Sequence, residues 1–228
     1  SIALHDYQRP LMTIPHDSSE FTEYHQILLR SFRAIAGFDR VMIYRFQEDW
    51  SGEVIAEMTA PGIGSYLGLR FPASDIPAIA RNLYLINPSR MIPDAHARPV
   101  PVLSLESSPP DMTWSDLRSV SPAHLQYLTN MGVGASFSVP VRVAGKLWAL
   151  VACHHLQPLV LSPEQRNACV ALAGTYAMGV TSHIASRRLQ MIDSLERRVD
   201  HVLEALSDYA DPLDGIGTNH AALLEIMG

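Results

Sequence analysis

The sequence predicts an α+β domain, a central antiparallel β-sheet flanked by helices, with a long helix at its C-terminal side. Three observations predict it. Residues 133–143 alternate, with Val139, Val141 and Val143 on one face and Ser136, Ser138, Pro140 and Arg142 on the other; Ala144-Gly145 then turns the chain into an apolar return strand, Leu147 to Cys153. Val41 to Phe46 and Glu53 to Met58 read as a second strand pair, joined by the polar turn over residues 47–52. From Ser162-Pro163 a helical pattern runs to about Tyr209, with no proline before Asp211-Pro212, far beyond the ordinary helix.

The elements follow in order. Residues 1–17 hold two prolines and little periodicity, and read as an extension or linker. Ser18 or Ser19 caps a helix to about Ala36, whose core stripe is Phe21, Tyr24, Ile27, Leu28, Ser31, Phe32 and Ile35; Gly37 stops it. Pro61-Gly62-Ile63-Gly64 is a loop, and Tyr66 to Phe71 leads into Arg70-Phe-Pro-Ala-Ser-Asp-Ile-Pro77. Pro77 starts a helix, with Ser74-Asp75 just before it. Asp75 there is usually a cap, yet Pro72 and Pro77 stiffen the chain around it, and such a segment can aim a backbone carbonyl at a ligand. Residues 93–120 form a long proline-rich loop with a short strand near Val100 to Leu103; a loop of that length is often functional. Ser121 is an N-cap and Pro122 a first helical residue; Leu125, Leu128 and Met131 give a short amphipathic helix that Gly132 ends. A main domain over 18–185 is expected, with residues 186–228 carrying the helix onward into a further segment, a division that rests on the resemblance given below.

Composition narrows the function classes. The chain has 228 residues, 47% hydrophobic and 18% charged, enough for one good core with an appendage. A net charge of −6 argues against a general nucleic-acid binder. No apolar run of transmembrane length and no signal-like start are expected, so no membrane partner is. The two cysteines, Cys153 on a buried strand and Cys169 on a helix, point to a reducing cytoplasm rather than a disulfide. Adjacent His154 and His155 point to opposite strand faces, which argues against a metal site. With no activated nucleophile, phosphate loop or metal spacing, the chain is not expected to be an enzyme. In the long helix, Leu189, Ile192, Leu195, Val199, Val202 and Leu206 extend an apolar stripe bordered by Glu196, Arg197, Arg198 and Asp200, so a partner helix is expected, in a homodimer or a following domain.

Arg118, His124, Ser136, Ser138 and His154 can converge on one sheet face. Taken singly, each is more often a cap or a solvated polar residue. Together, beside an apolar wall, they suit a large, flat, partly anionic ligand.

At these residues the chain resembles the chromophore-binding GAF domain of bacterial phytochromes. The resemblance is carried by Phe71-Pro-Ala-Ser-Asp-Ile-Pro77, Leu117-Arg-Ser-Val-Ser-Pro122, His124-Leu-Gln-Tyr-Leu-Thr-Asn-Met-Gly-Val133 and Leu147-Trp-Ala-Leu-Val-Ala-Cys-His-His155, and more weakly by Phe38 to Phe46 with Gly52 to Glu57. It covers about residues 24–185 and implies a GAF fold, a bilin cofactor (biliverdin IXα, or phycocyanobilin as the alternative) and red/far-red photoreception by isomerisation at the D ring. The other reading is a bilin-free GAF ligand-binding or dimerisation module.

The resemblance also implies the roles. The Asp75 carbonyl, with a water held by His124, would accept from the central pyrrole N–H groups. Arg90 and Arg118 would pair with one propionate, supported by Tyr84, while Ser136, Ser138 and His124 hold the other. His154 would reach the D-ring carbonyl; Tyr44, Tyr66 and Phe71 would line the pocket where that ring turns, and Ile76 and Pro77 would pack on the ring faces, with Tyr127 also in the binding set. In phytochromes the long loop forms a lasso around the segment before the GAF domain; here residues 1–17 are too short for a complete PAS domain, and residues 215–228 resemble the opening of a PHY domain. Ala123 stands where plant and many cyanobacterial phytochromes carry the bilin-linking cysteine, and residues 1–40 hold none. The bilin would then be held non-covalently or attached through a part absent from this chain. Phe71 stands where many relatives have tyrosine. An output domain such as a histidine kinase or cyclase would lie downstream.

Overall fold

The computed structural model describes residues 2–105, 108 and 110–207. Two helical turns open the chain, α1 (Leu4–Gln8) and a 3-10 turn over Arg9–Met12; α2 (Ser18–Ala36) follows. Then come β1 (Arg40–Phe46), β2 (Gly52–Thr59), β3 (Arg70–Phe71), α3 (Ala78–Ile86), β4 (Arg90–Ile92), α4 (Pro122–Asn130), β5 (Ala135–Val143), β6 (Lys146–His155) and α5 (Pro163–Ser207). The six strands form one sheet in the order β3-β2-β1-β6-β5-β4, and every pairing is antiparallel. The predicted α+β architecture is the observed one.

Strand alternation divides the sheet into two faces. Val41, Ile43, Phe137, Val139, Val151 and Cys153 point to a core that α2 and α5 complete with Leu28, Phe32, Leu172 and Tyr176. Met42, Tyr44, Leu150 and Ala152 point the other way, into a second cluster with Phe71, Ile76 and Tyr84. The β5–β6 register shifts between Val141 and Arg142, with Trp148 the extra residue on β6. Arg142, on the strand face of Ser136 and Ser138, donates to the carbonyls of Tyr84 (2.8 Å) and Asn87 (2.8 Å) and caps α3. The β5–β6 hairpin needs positive φ at both turn residues; Ala144 (φ 49°) and Gly145 (φ 76°) supply it.

Several expectations are corrected. The stretch over 1–17, read as an extension or linker, packs on the domain: Leu11 is 1% exposed in the core and its carbonyl accepts from the Tyr24 hydroxyl at 2.7 Å. Gln8 Nε2 reaches Thr175 Oγ1 at 3.3 Å, and the Ile2 N–H reaches Glu164 Oε1 at 3.0 Å. Gly179 makes room for the Tyr24 ring: a Cβ there would lie 2.0 Å from its hydroxyl oxygen. The cap of α2 is Asp17, not Ser18 or Ser19. Glu20 donates its N–H to Asp17 (2.8 Å) and accepts from His16 N–H (2.7 Å), a reciprocal arrangement that needs the cap three residues earlier. Val100 to Leu103 form no strand; Val100 is 83% and Leu103 93% exposed, and Pro99 and Pro101 remove ladder donors. The strand in that part of the chain is β4, pairing Arg90 with Ser138 and Ile92 with Ser136.

α5 is long and apolar enough, by length and composition, to cross a membrane, against the expectation that no stretch would be. Its first half, though, is a core helix: Cys169, Leu172, Ala173, Tyr176 and Val180 are at most 1% exposed. The chain divides into two units, Ser1–Thr181 and Ser182–Gly228. In the second, the described residues continue α5 to Ser207, with Leu189, Ile192, Val199 and Leu203 exposed. The expected onward helix to Tyr209 and the PHY-like segment from 215 lie outside the described residues past that point.

Candidate functional site

The second sheet face floors a cavity of about 410 Å³. The floor is Met42 and Tyr44 from β1, Ser136 and Ser138 from β5, and Leu150, Ala152 and His154 from β6. One wall is the proline-stiffened segment with Asp75, Ile76 and Pro77, running into Tyr84 of α3. The opposite wall is α4, which contributes His124 and Tyr127. Arg90 from β4 and Arg118 from the long loop close one end. Thirteen of the fourteen residues expected at the site therefore line one cavity. Tyr66 does not; it stands behind Phe71, 6.3 Å between ring centroids and edge-on.

Asp75 does not cap α3, whose N-cap is Pro77 without a side-chain bond. Its carboxylate accepts from the Tyr127 hydroxyl at 3.2 Å, tying the two walls together. Arg81 donates to the flanking carbonyls of Ala73 (3.3 Å) and Ile76 (2.6 Å). Among the described residues no donor takes the Asp75 carbonyl, so the fold leaves that acceptor available.

The electrostatics are those of a site short of an anion. Arg90 and Arg118 lie close enough that burial, and then the Arg118 charge, hold Arg90 below its usual range. Neither forms an ion pair with a carboxylate among the described residues. They donate instead to backbone: Arg90 to the Arg118 carbonyl and Arg118 to that of Thr113 at 2.9 Å. Burial, then Arg90, pushes the His124 imidazole down. His154 is pushed down to about 3, first by burial and then by Arg40 and His124, so it is neutral at ordinary pH. Its Nδ1 is buried without a hydrogen-bond partner, as is the Tyr44 hydroxyl, which burial and then Asp75 raise to about 12. Orphaned buried polar atoms are costly, at about 1–3 kcal/mol each. Both belong to residues that line the cavity.

A family model for the GAF domain matches residues 21–180. This chain belongs to the GAF domain family. Among its relatives are cyanobacterial phytochrome B of Nostoc sp., 41% identical over 214 residues, and a bacteriophytochrome of Pseudomonas aeruginosa, 42% identical over 207. These alignments take in 91% and 86% of this chain but 28% of each relative, so the chain spans under a third of their length. The solved chromophore-binding domain of a bacteriophytochrome from R. palustris superposes with a TM-score of 0.75 at 39% identity, covering 81% of this chain and 60% of that one. A longer structure of a bacteriophytochrome from the same organism gives 0.85 at 35% identity, covering 99% and 45%.

Within this GAF domain the structure adds residues that motif reading did not single out. Met42, Leu83, Leu150 and Ala152 belong to the apolar lining, and Asn87, also in the lining, shares the Thr113 carbonyl with Arg118. The strand period could have found Met42, Leu150 and Ala152, since each is two residues from a named site residue or its cross-strand partner.

Proposed function

We propose that this GAF domain is the pigment-binding part of a red/far-red photoreceptor of the phytochrome type, holding a linear tetrapyrrole in the cavity. One observation carries the reading: a largely apolar cavity of about 410 Å³ ends at two adjacent guanidiniums without a carboxylate partner among the described residues. Ligand cavities of this size, apolar with a few convergent polar groups, are the usual form of a small-molecule site. Here the polar groups suit a bilin. Arg90 and Arg118 would hold a propionate as guanidinium forks, with Tyr84 beside them, and Ser136, Ser138 and His124 would hold the second. The Asp75 carbonyl would accept pyrrole N–H groups, and His154 would meet a ring carbonyl. Bound there, the bilin supplies light-driven isomerisation at the double bond next to its D ring. Met42, Tyr44 and Phe71 would shape the space in which that ring turns, and Ile76 and Pro77 would pack on the ring faces.

Biliverdin IXα is the favoured pigment and phycocyanobilin the alternative. Among the described residues no cysteine lines the cavity; Cys153 and Cys169 are both free and buried on the core side of the sheet. Production with biliverdin is expected to give a red-absorbing protein whose pigment leaves the polypeptide on acid denaturation, without zinc-induced fluorescence at the protein band. A colourless protein would turn the reading to a bilin-free GAF module, and a fluorescent band would show a covalent link.

The reading extends to the longer protein: a cytoplasmic photoreceptor with a downstream output domain such as a histidine kinase or cyclase, this domain having no catalytic step of its own. It also includes a homodimer through α5, since Leu189, Ile192, Val199 and Leu203 stay exposed in the second unit. Sedimentation should show the full chain associating and a chain ending near His183 remaining monomeric; equal monomers would remove this part.

A further inference from the structure

Beyond the His154 end of the cavity, the same sheet face continues into a buried ion pair. Arg40 on β1 and Glu57 on β2 have side chains 7% and 3% exposed, with Arg40 Nε 2.9 Å from Glu57 Oε1. Arg40 is the cross-strand partner of His154, and Glu57 that of Met42. Both of those partners line the cavity; neither member of the ion pair does.

A buried ion pair is a weak source of stability, because the desolvation of two charges offsets their attraction. What this one does is organise a turn. Glu57 accepts from the Tyr66 N–H at 2.9 and 3.1 Å and from the Leu67 N–H at 3.3 Å. Arg40 donates to the Gly64 carbonyl and lies with its guanidinium carbon 3.6 Å from the Tyr66 ring centroid. Cation and ring attract at that distance, so the Tyr66 ring is held from behind. Its other side meets Phe71 edge-on, and Phe71 meets Tyr44 at 5.9 Å; these last two line the cavity. The chain of contacts thus runs from the ion pair through Tyr66 to the aromatic wall. It also explains why Tyr66, expected in the lining, stands behind it.

We propose that Arg40 and Glu57 are positioning residues for the cavity: they fix the turn over residues 64–67 and, through Tyr66, hold the Phe71–Tyr44 wall against which the pigment's terminal ring turns. The last clause rests on the cavity being the pigment site; the positioning of the wall does not. The Arg40 charge beside His154 also contributes, after burial, to keeping that imidazole neutral. A purely structural pair and a positioning pair differ in one respect. Replacing both members by apolar residues can leave stability near the parent's, but it cannot restore the bonds to Tyr66 and Leu67.

The test compares the parent with Glu57→Gln and with the double variant Arg40→Met/Glu57→Leu, each with and without biliverdin. In the pigment-free protein, amide exchange at Tyr66 and Leu67 should quicken by about tenfold or more, the scale of losing one charge-assisted hydrogen bond. The Tyr44 and Phe71 ring signals in NMR should shift at the same time. In the loaded protein, the red band should broaden and photoproduct should be lost. A double variant that melts near the parent and keeps parental ring signals overturns the proposal, with or without pigment. Shifted rings with parental photoconversion overturn its last clause. If the double variant does not fold, Glu57→Gln carries the same readouts. A parent that takes up no biliverdin strikes the pigment reading instead, while the pigment-free arm still decides the positioning.

Discussion

Replacing Arg90 and Arg118 together by alanine is expected to weaken biliverdin uptake by about 100-fold or more, since a hydrogen bond to a charged group contributes about 1.5–3 kcal/mol. The two cations are held side by side at the cavity end, and burial and mutual repulsion act on Arg90. An anion between them relieves both, so the site gains more from a carboxylate than either arginine would alone. Titration of pigment absorbance measures the effect. Biliverdin dimethyl ester is a further control: the parent should bind the ester at least as poorly as the double variant binds the acid, since the ester also lacks the carboxylate that Ser136, Ser138 and His124 would hold. Both arginines also donate to carbonyls of the 113–118 segment, so a melting curve must show the variant folded. Parental affinity for biliverdin in a folded variant would refute the assignment.

Phe137→Ala is expected to cost about 3–5 kcal/mol of stability, the usual range for emptying a buried phenylalanine site. Phe137 is 0% exposed, stacks near Phe38 with ring centroids 6.3 Å apart, and belongs to the main core. Its neighbours Ser136 and Ser138 face the cavity. Urea denaturation should therefore show a large fall in midpoint, while the red band of the protein that remains folded keeps its position. A loss under about 1 kcal/mol, far from the range for such cavities, or a displaced band, would contradict the separation of the two faces.

That separation was legible in the residues, because strand alternation is a local signal. Val139 and Val141 against Ser136 and Ser138 can be assigned to faces without knowing the partner strand. The caps at Ser121-Pro122 and the stop at Gly37 are local too, and both are observed. What escaped depends on contacts distant in sequence. β4 is three residues long, too short to alternate, and exists because β5 offers it an edge. Leu11 is buried because Tyr24 and α5 cover it, which no pattern in residues 1–17 encodes. The motifs named in the sequence supply most of the cavity lining. That Tyr66 stands behind Phe71 could not be read from the motif, because its position follows from Arg40 and Glu57, a pair joined only when β1 and β2 associate.

The Tyr24 contact has a mechanical consequence. Tyr24 bonds the Leu11 carbonyl on one side and fills the notch at Gly179 on the other. With Ile2 against Glu164 and Gln8 against Thr175, the opening segment lies along the first half of α5 like a splint. A force on that stretch of helix is therefore shared with α2 and the opening segment rather than borne by α5 alone.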